Sequence, residues 1–409
     1  MSVGARMLTV AEAQRRILDS ITVLRTERVA LSEALGRVLA EPVVSRRTLP
    51  PFDNSSMDGY AVRHQDTRGA AEATPVVLQV TGESRAGMPP GRRLTPGTAM
   101  RIMTGAPVPD GADAVVRYED TDSGREQVHI AVEVRSGTNI RRAGEDMNPG
   151  DPILDAGRRL RPADLAACAA LGNAWLEVHR RPRVAVVSTG DELVEPDVEP
   201  GPGQIVDSNA VAIAAAVREA GGDPVRIGIA RDTVVDLRRA FTEASRCDLV
   251  VSSAGVSMGD HDHVRDVVDA LGRMDFWRVA MRPGKPLAVG VVNNVPFIGL
   301  PGNPVSSQVT FELFARPAVL QLQGATEVHR RRTAARALEA MDKPEGLETF
   351  HRGVVHAPGR GDDIPGVRLT GPQGSGIMRS LVLADCLIAL PAHGSRVEAG
   401  EIVEIIPLV

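Results

Sequence analysis

The chain is poor in aromatics, lysine and cysteine, and it has no long apolar run. Seven Phe, two Trp and two Tyr in 409 residues offer few platforms for stacking bases. A net charge of −5 supplies no basic field. Together these exclude a general nucleic-acid binder. No stretch approaches the ~18 apolar residues that span a bilayer. Residues 1–19 mix Arg, Glu and Gln with apolar residues and form no secretory h-region. The expectation is a cytoplasmic protein with no membrane partner. The three cysteines, Cys168, Cys247 and Cys386, are far apart, odd in number and outside any CxxC pattern. That excludes a zinc ribbon or a disulfide framework and fits small buried hydrophobes in a reducing compartment. Only Lys285 and Lys343 are lysines among 47 basic residues. Arg is a planar fork and Lys a compact point charge, so a lysine retained in such a chain is a candidate for a specific task.

What is present is glycine and proline, 40 and 29 residues, on a globular hydrophobic content of 43%. At ~150 residues per domain the length corresponds to two to four domains. Residues 7–40 read as helical, with Thr9 and Glu12 in capping-box spacing and a second short helix over 31–39. From 43 to about 140, short β runs at 76–80, 114–117 and 128–130 are separated by turn signals, a mostly β module. A helix is expected at 162–171. Then strands at 184–187, 225–229, 248–251 and 297–300 alternate with helices at 210–220, 233–244, 263–271 and 305–322. Ser208 is the expected cap of the first of these helices. The alternation specifies a mostly parallel sheet covered on both faces. Short β segments beyond 326 indicate a small barrel or sandwich. The predicted fold class is multidomain α/β. Its units are a discontinuous helical linker domain (1–42 with 147–180), a β-rich domain (43–146), a central α/β domain (181–325) and a C-terminal β-barrel (326–409).

The unusual residues follow the central strands, where open α/β sheets bind ligands. One run is Ser188-Thr189-Gly190-Asp191-Glu192. A second extends from Ser252 through Ser257 and Gly259 to Asp260 and Asp262. The third is Pro301-Gly302-Asn303 at a helix start. Such runs are also ordinary turn chemistry; three on one sheet argue for a site. Glycine loops at helix N-termini favour phosphate. The carboxylates Glu192, Asp260 and Asp262 would repel an anion unless a divalent cation such as Mg²⁺ intervenes. Asp232 suits either a metal or a helix cap. Arg278, Arg282 and Lys285 surround a Pro-Gly turn, suited to a phosphate or oxyanion; a solvated hairpin tip is the structural alternative.

The ordered set DNSSMDGYAV, RIMTGAPVPDGADAVV, RRAGEDM, VSTGDEL, GQIVDSNA, SSAGVSMGDHDHV, MRPGKPLAVG and GLPGNPVSS resembles the MoeA family, which includes the gephyrin E domain. The likeness runs from about residue 8 to 409. It implies a molybdopterin molybdenumtransferase. Adenylylated molybdopterin and molybdate would be its substrates, AMP would be released, and Mg²⁺ would be required. It also implies a central domain similar to MogA, and a homodimer whose active site is a cleft between subunits. Transient partners would be a molybdopterin adenylyltransferase and molybdoenzymes or their chaperones.

Carried over by motif, Asp58, Thr104 and Asp146 are functional positions of the β module, and Glu192, Asp232 and Asp262 are those of the central domain. Metal ligands would come from Glu192, Asp260 and Asp262. Substrate and oxyanion contacts would come from Ser188, Thr189, Gly190, Ser257, Gly259, Arg278, Arg282, Lys285, Pro301, Gly302, Asn303 and Ser375. Arg278 and Arg282 stand where the family often has lysine, and Ala254 where it usually has glycine. Two rival classes are weaker. A binding scaffold would need extra modules or long linkers, and a stand-alone adenylyltransferase lacks MDGYA, TGAPVP and the C-terminal β domain.

Overall fold

The computed structural model describes residues 7–89, 92–253, 263–359 and 363–408. Near the N-terminus, Thr9 caps the helix Val10–Asp19 through a complete capping box with Glu12, as its spacing predicts. Val10, Ala13 and Ile17 lie on one stripe and are buried with Phe314 and Val319 of the central core. Full burial of a side chain such as Ile17 contributes ~1.5–3 kcal/mol. This helix therefore belongs to the packing of the central sheet.

The expected second helix over 31–39 is absent. Thr26–Ala30 is a strand antiparallel to Trp175–His179, followed by a short 3-10 turn, Leu31–Glu33. Val38 and Leu39 are both buried and form bridges to Arg159 and Val178. The apolar spacing suits a helix, but a distant partner strand offers backbone bonds and burial that outweigh it. Val43–Val44 likewise pairs with Pro152–Leu154. Besides Val10–Asp19, the α-helix of the linker residues among those described is Pro162–Ala170.

The β module is a five-stranded sheet in the order Ala114–Arg117, Gly59–Val62, Thr98–Ile102, Val76–Ser84, Gln127–Ile130. Tyr60, Ala99, Val116 and Ile130 fill its core.

The central sheet has six strands in the order Asp223–Ala230, Arg183–Thr189, Leu249–Ser253, Val295–Leu300, Pro286–Val292, Gly272–Arg278. The first four are parallel, and Pro286–Val292 runs antiparallel to both of its neighbours. Val184 and Val186 face one core, packed under the helix Ser208–Glu219 and residues 304–322. Ala185 and Val187 face the other, under Val234–Ala244 and His263–Leu271. Period-two alternation on an all-apolar strand thus builds three layers. The order reverses between Arg183–Thr189 and Leu249–Ser253, which opens a crevice at their carboxyl ends.

The C-terminal strands Thr333–Ala337, Gly366–Leu369, Glu348–His356, Cys386–Leu390 and Ile402–Pro407 close on themselves as a five-stranded barrel. Met281–Arg282 of the central domain adds to its rim, parallel to Glu348 and Thr349. Among the described residues no helix is long and apolar enough to cross a membrane.

Candidate functional site

Ser188 and Thr189 end the first central strand fully buried. The Ser188 hydroxyl has no hydrogen-bond partner among the described residues, so it is available to a ligand group at the crevice floor. Gly190 follows at φ +144, and a Cβ there would stand 2.4 Å from the Glu192 carboxylate. Only glycine lets Glu192 fold back over the strand end. The neighbouring loop is tied on by Arg231, which donates to the Asp191 carbonyl at 2.9 Å, and by the Asp232 N–H, which donates to Asp191 Oδ1 at 3.3 Å.

Asp232 does not cap a helix. Thr233 does, accepting from the Asp236 N–H at 3.2 Å. Partial burial, then the charges of Asp191 and Glu192, raise the Asp232 carboxyl above its ordinary range, and His263 opposes them. Carboxylates crowded in this way are the chemistry a divalent cation relieves. Among the described residues no three such side chains are grouped closely enough to hold an ion. Ser257, Gly259, Asp260 and Asp262 lie outside the described residues.

Asp207, not Ser208, caps the helix Ser208–Glu219, accepting from the Ala210 N–H at 3.0 Å. Asn209, in its first turn, donates to Ser253 Oγ at 2.9 Å and to the Gly302 carbonyl at 2.8 Å. It joins the end of one central strand to the Pro301-Gly302-Asn303 loop. Asn303 makes no side-chain cap. Instead the Ser375 carbonyl accepts from the Val305 N–H at 3.2 Å, which brings the C-terminal domain onto this loop.

Arg278, Arg282 and Lys285 are exposed, while Pro283 and Gly284 between them are buried. Gly284 has φ +96, and a Cβ would stand 2.3 Å from Thr310 Cγ2. The turn is pressed against a helix and joined to the barrel rim, which corrects the solvated-tip alternative. Arg282 borders a cleft of about 550 Å³ that also holds Thr349, His351, Arg352 and Gln373. Arg352 is 1% exposed. It donates to Ser380 Oγ at 3.1 Å, the Phe350 carbonyl at 3.3 Å and the Gly374 carbonyl at 3.4 Å. Among the described residues no carboxylate pairs with it. Burial and the nearby Arg282 charge bring its pKa down to about 10. A buried guanidinium facing another cation lacks its counter-charge, and an oxyanion would supply it.

Sequence reasoning assigned no role to Arg352 or Asn209. The only signals were a basic residue within the segment Glu348–His356 and the polar run Asp207-Ser208-Asn209 after the strand Ile205–Val206.

A second group lies on the β module. Asp58 Oδ1 accepts from the Thr104 N–H at 2.6 Å and from its hydroxyl at 2.9 Å, and these bonds lower the Asp58 pKa. Asp146 is exposed, its N–H donating to the Leu49 carbonyl at 3.1 Å. Among the described residues no hydrogen bond or ion pair joins Asp58, Thr104 or Asp146 to the central group.

Comparison with known proteins covers almost the whole chain. Residues 8–172 match the MoeA N-terminal region (domain I and II), 185–321 a "probable molybdopterin binding domain", and 334–408 the MoeA C-terminal region (domain IV). The chain is 41% identical over 402 residues to molybdopterin molybdenumtransferase 2 of Mycobacterium tuberculosis H37Rv, covering 96% of this chain and 98% of that one. It is 37% identical over 405 residues to the molybdopterin molybdenumtransferase of Haemophilus influenzae, with 98% of each covered. Among solved structures it resembles a molybdopterin biosynthesis MoeA protein of Pyrococcus horikoshii OT3, with a TM-score of 0.82, 29% identity, and coverage of 98% and 100%. The chain belongs to the MoeA family.

Proposed function

We propose that this chain is a molybdopterin molybdenumtransferase, inserting molybdenum in the final step of molybdenum cofactor biosynthesis. The substrates are molybdate and molybdopterin, the latter in its adenylylated form, so that AMP departs when the anhydride is broken. The observation that carries the reading is the buried, carboxylate-free Arg352 beside Arg282, in a chain matched end to end by MoeA relatives. A tetrahedral oxyanion fits between two guanidinium forks, and Lys285 and Arg278 on the same hairpin add positive charge.

The crevice at the strand ends supports the nucleotide half of the reading. Ser188, Thr189, Gly190 and the Pro301–Asn303 loop present small donors where a phosphate can approach. Positioning and charge stabilisation are most of what phosphoryl chemistry requires. Glu192 and Asp232, with Asp260 and Asp262, are the residues that would hold Mg²⁺, which supplies neutralisation of the pyrophosphate when bound. Asp58, Thr104 and Asp146 complete the site from the second subunit of a homodimer. Among the described residues no hydrogen bond or ion pair ties them to the central group within one chain, which supports that arrangement. The protein works in the cytoplasm.

The test is direct. Purified protein is given adenylylated molybdopterin, molybdate and Mg²⁺, and AMP release and pterin-bound molybdenum are measured. AMP release that depends on both molybdate and metal supports the reading. Release that ignores molybdate overturns it.

A further inference from the structure

Arginines remote from this site gather at a second place. A cleft of about 890 Å³ opens where three chain segments meet: residues 155–162, the helix Arg316–Leu322, and residues 325–333 leading into the barrel. Its wall carries Arg158, Arg159, Arg161, Arg316, Arg330 and Arg331, against Asp155 and Glu327.

The carboxylates around it are already engaged. Asp164 pairs with Arg158 at 2.7 Å and with Arg161 at 3.5 Å. Glu312 pairs with Arg330 at 2.7 Å and with Arg316 at 3.6 Å. Glu219 pairs with Arg330 at 2.6 Å. Asp155 and Glu327 act on Arg158. Arg159 donates only to two carbonyls, Glu219 O at 2.8 Å and Gly36 O at 3.3 Å. Among the described residues the Arg331 side chain has no partner, and the Arg158 Nε is buried without one. Burial lowers the Arg159 pKa, and Arg181 and Arg330 add to the effect against the pull of Glu219.

Arginines that merely closed a junction would each be matched by a carboxylate; among the described residues Arg159 reaches only carbonyls and Arg331 has no partner, so neither fork is matched by an acid. Such forks hold multi-oxygen anions by paired hydrogen bonds, and the volume lies in the usual range for a small-ligand site. We propose that this cleft is a second anion site, taking a small phosphate-bearing polyanion between Arg159 and Arg331, separate from the Arg282–Arg352 cleft. A ligand there would bridge the linker, the central domain and the barrel, so binding would stiffen their junction.

Inorganic pyrophosphate is the probe, titrated into the full chain by calorimetry with thermal unfolding alongside. Arg282→Ala weakens the first anion cleft. In that background pyrophosphate still binds and still raises Tm. Adding Arg331→Ala, which breaks no contact within the chain, weakens binding about tenfold or more. Arg331→Ala alone leaves molybdenum transfer unchanged. The proposal fails if pyrophosphate binding disappears with Arg282→Ala alone, or if Arg331→Ala and Arg159→Ala leave it untouched. It also fails if sedimentation shows a second copy of the chain dissociating on Arg331→Ala with no pyrophosphate bound to the parent. That outcome would make the cleft a subunit interface.

Discussion

The side-chain amide of Asn209 donates to the carbonyl of Gly302 at 2.8 Å. With its second bond to Ser253 Oγ at 2.9 Å, it holds two loops of the crevice at a fixed separation. Asn209→Ala removes both bonds and leaves the helix itself capped by Asp207. A displacement of about 1 Å at such a site costs roughly a hundredfold in rate. AMP-release kinetics should show kcat falling by about that factor while Tm changes by a few degrees. An unchanged kcat would remove the positioning role.

Arg352 donates to Ser380, Phe350 and Gly374 and faces Arg282 across a cleft of about 550 Å³. Arg352→Ala should raise the KM for molybdate about ten- to a hundredfold, the scale of one or two charge-assisted hydrogen bonds. Affinity for the pterin substrate should stay nearly constant. Arg352→Lys should recover only part of the loss, since a point charge cannot hold all three partners. Equal losses for both substrates would argue against an oxyanion role.

Gly284 sits at φ +96 with Thr310 Cγ2 2.3 Å from where a Cβ would stand. Gly284→Ala must strain the backbone and push the turn off the helix, a cost of about 1–3 kcal/mol. Because Arg282 and Lys285 flank this turn, activity should fall along with Tm. Thr310→Ser in the same chain should restore part of the space and leave the dihedral strain. A wild-type Tm for Gly284→Ala would show that the turn is free to move.

The bond from Arg158 lowers the Asp164 pKa from its ordinary 3.8, burial opposes it, and the Arg161 N–H adds to the lowering. A carboxyl depressed in the folded state contributes stability that is fully present above the unfolded value. That stability is lost as pH falls through the lower folded value. Asp164→Asn should therefore reduce Tm near pH 7, and the gap to wild type should shrink progressively below about pH 4. A gap that is constant with pH would assign the effect to packing alone.

Glu192 folds over Gly190 within the electrostatic reach of Asp232. Glu192→Gln should abolish turnover while the chain stays folded by circular dichroism, and excess Mg²⁺ should not restore it. Full activity of this variant would exclude the metal-holding role.

Local signals were legible and exact placement was not always so. The capping box of Thr9 and Glu12 and the helix His263–Leu271 stand where spacing puts them, because both depend on residues within a few turns. Caps elsewhere shifted by one position, to Asp207 and Thr233, since adjacent polar residues offer nearly equal oxygens and only the chain's entry angle chooses between them. The segment 31–39 failed outright. Its helical spacing lost to a short 3-10 turn and to bridges from Val38 and Leu39 to Arg159 and Val178, partners that no local window contains.

The amino-acid sequence determined the class of this protein: alternating apolar strands and helices, small and acidic residues behind the strands, and an ordered motif set shared with the MoeA family. Those features rest on periodicity and on side-chain chemistry, which are properties of neighbours. The tertiary structure decided which of these residues meet. It buried Arg352 beside Arg282, seated Ser375 on the Val305 N–H, tied Gly302 to Asn209, and joined Asp58 to Thr104. Each of these depends on burial and pairing between distant segments. The cost of an unmatched charge or an unbonded amide is set by the assembled surroundings, not by the residue alone.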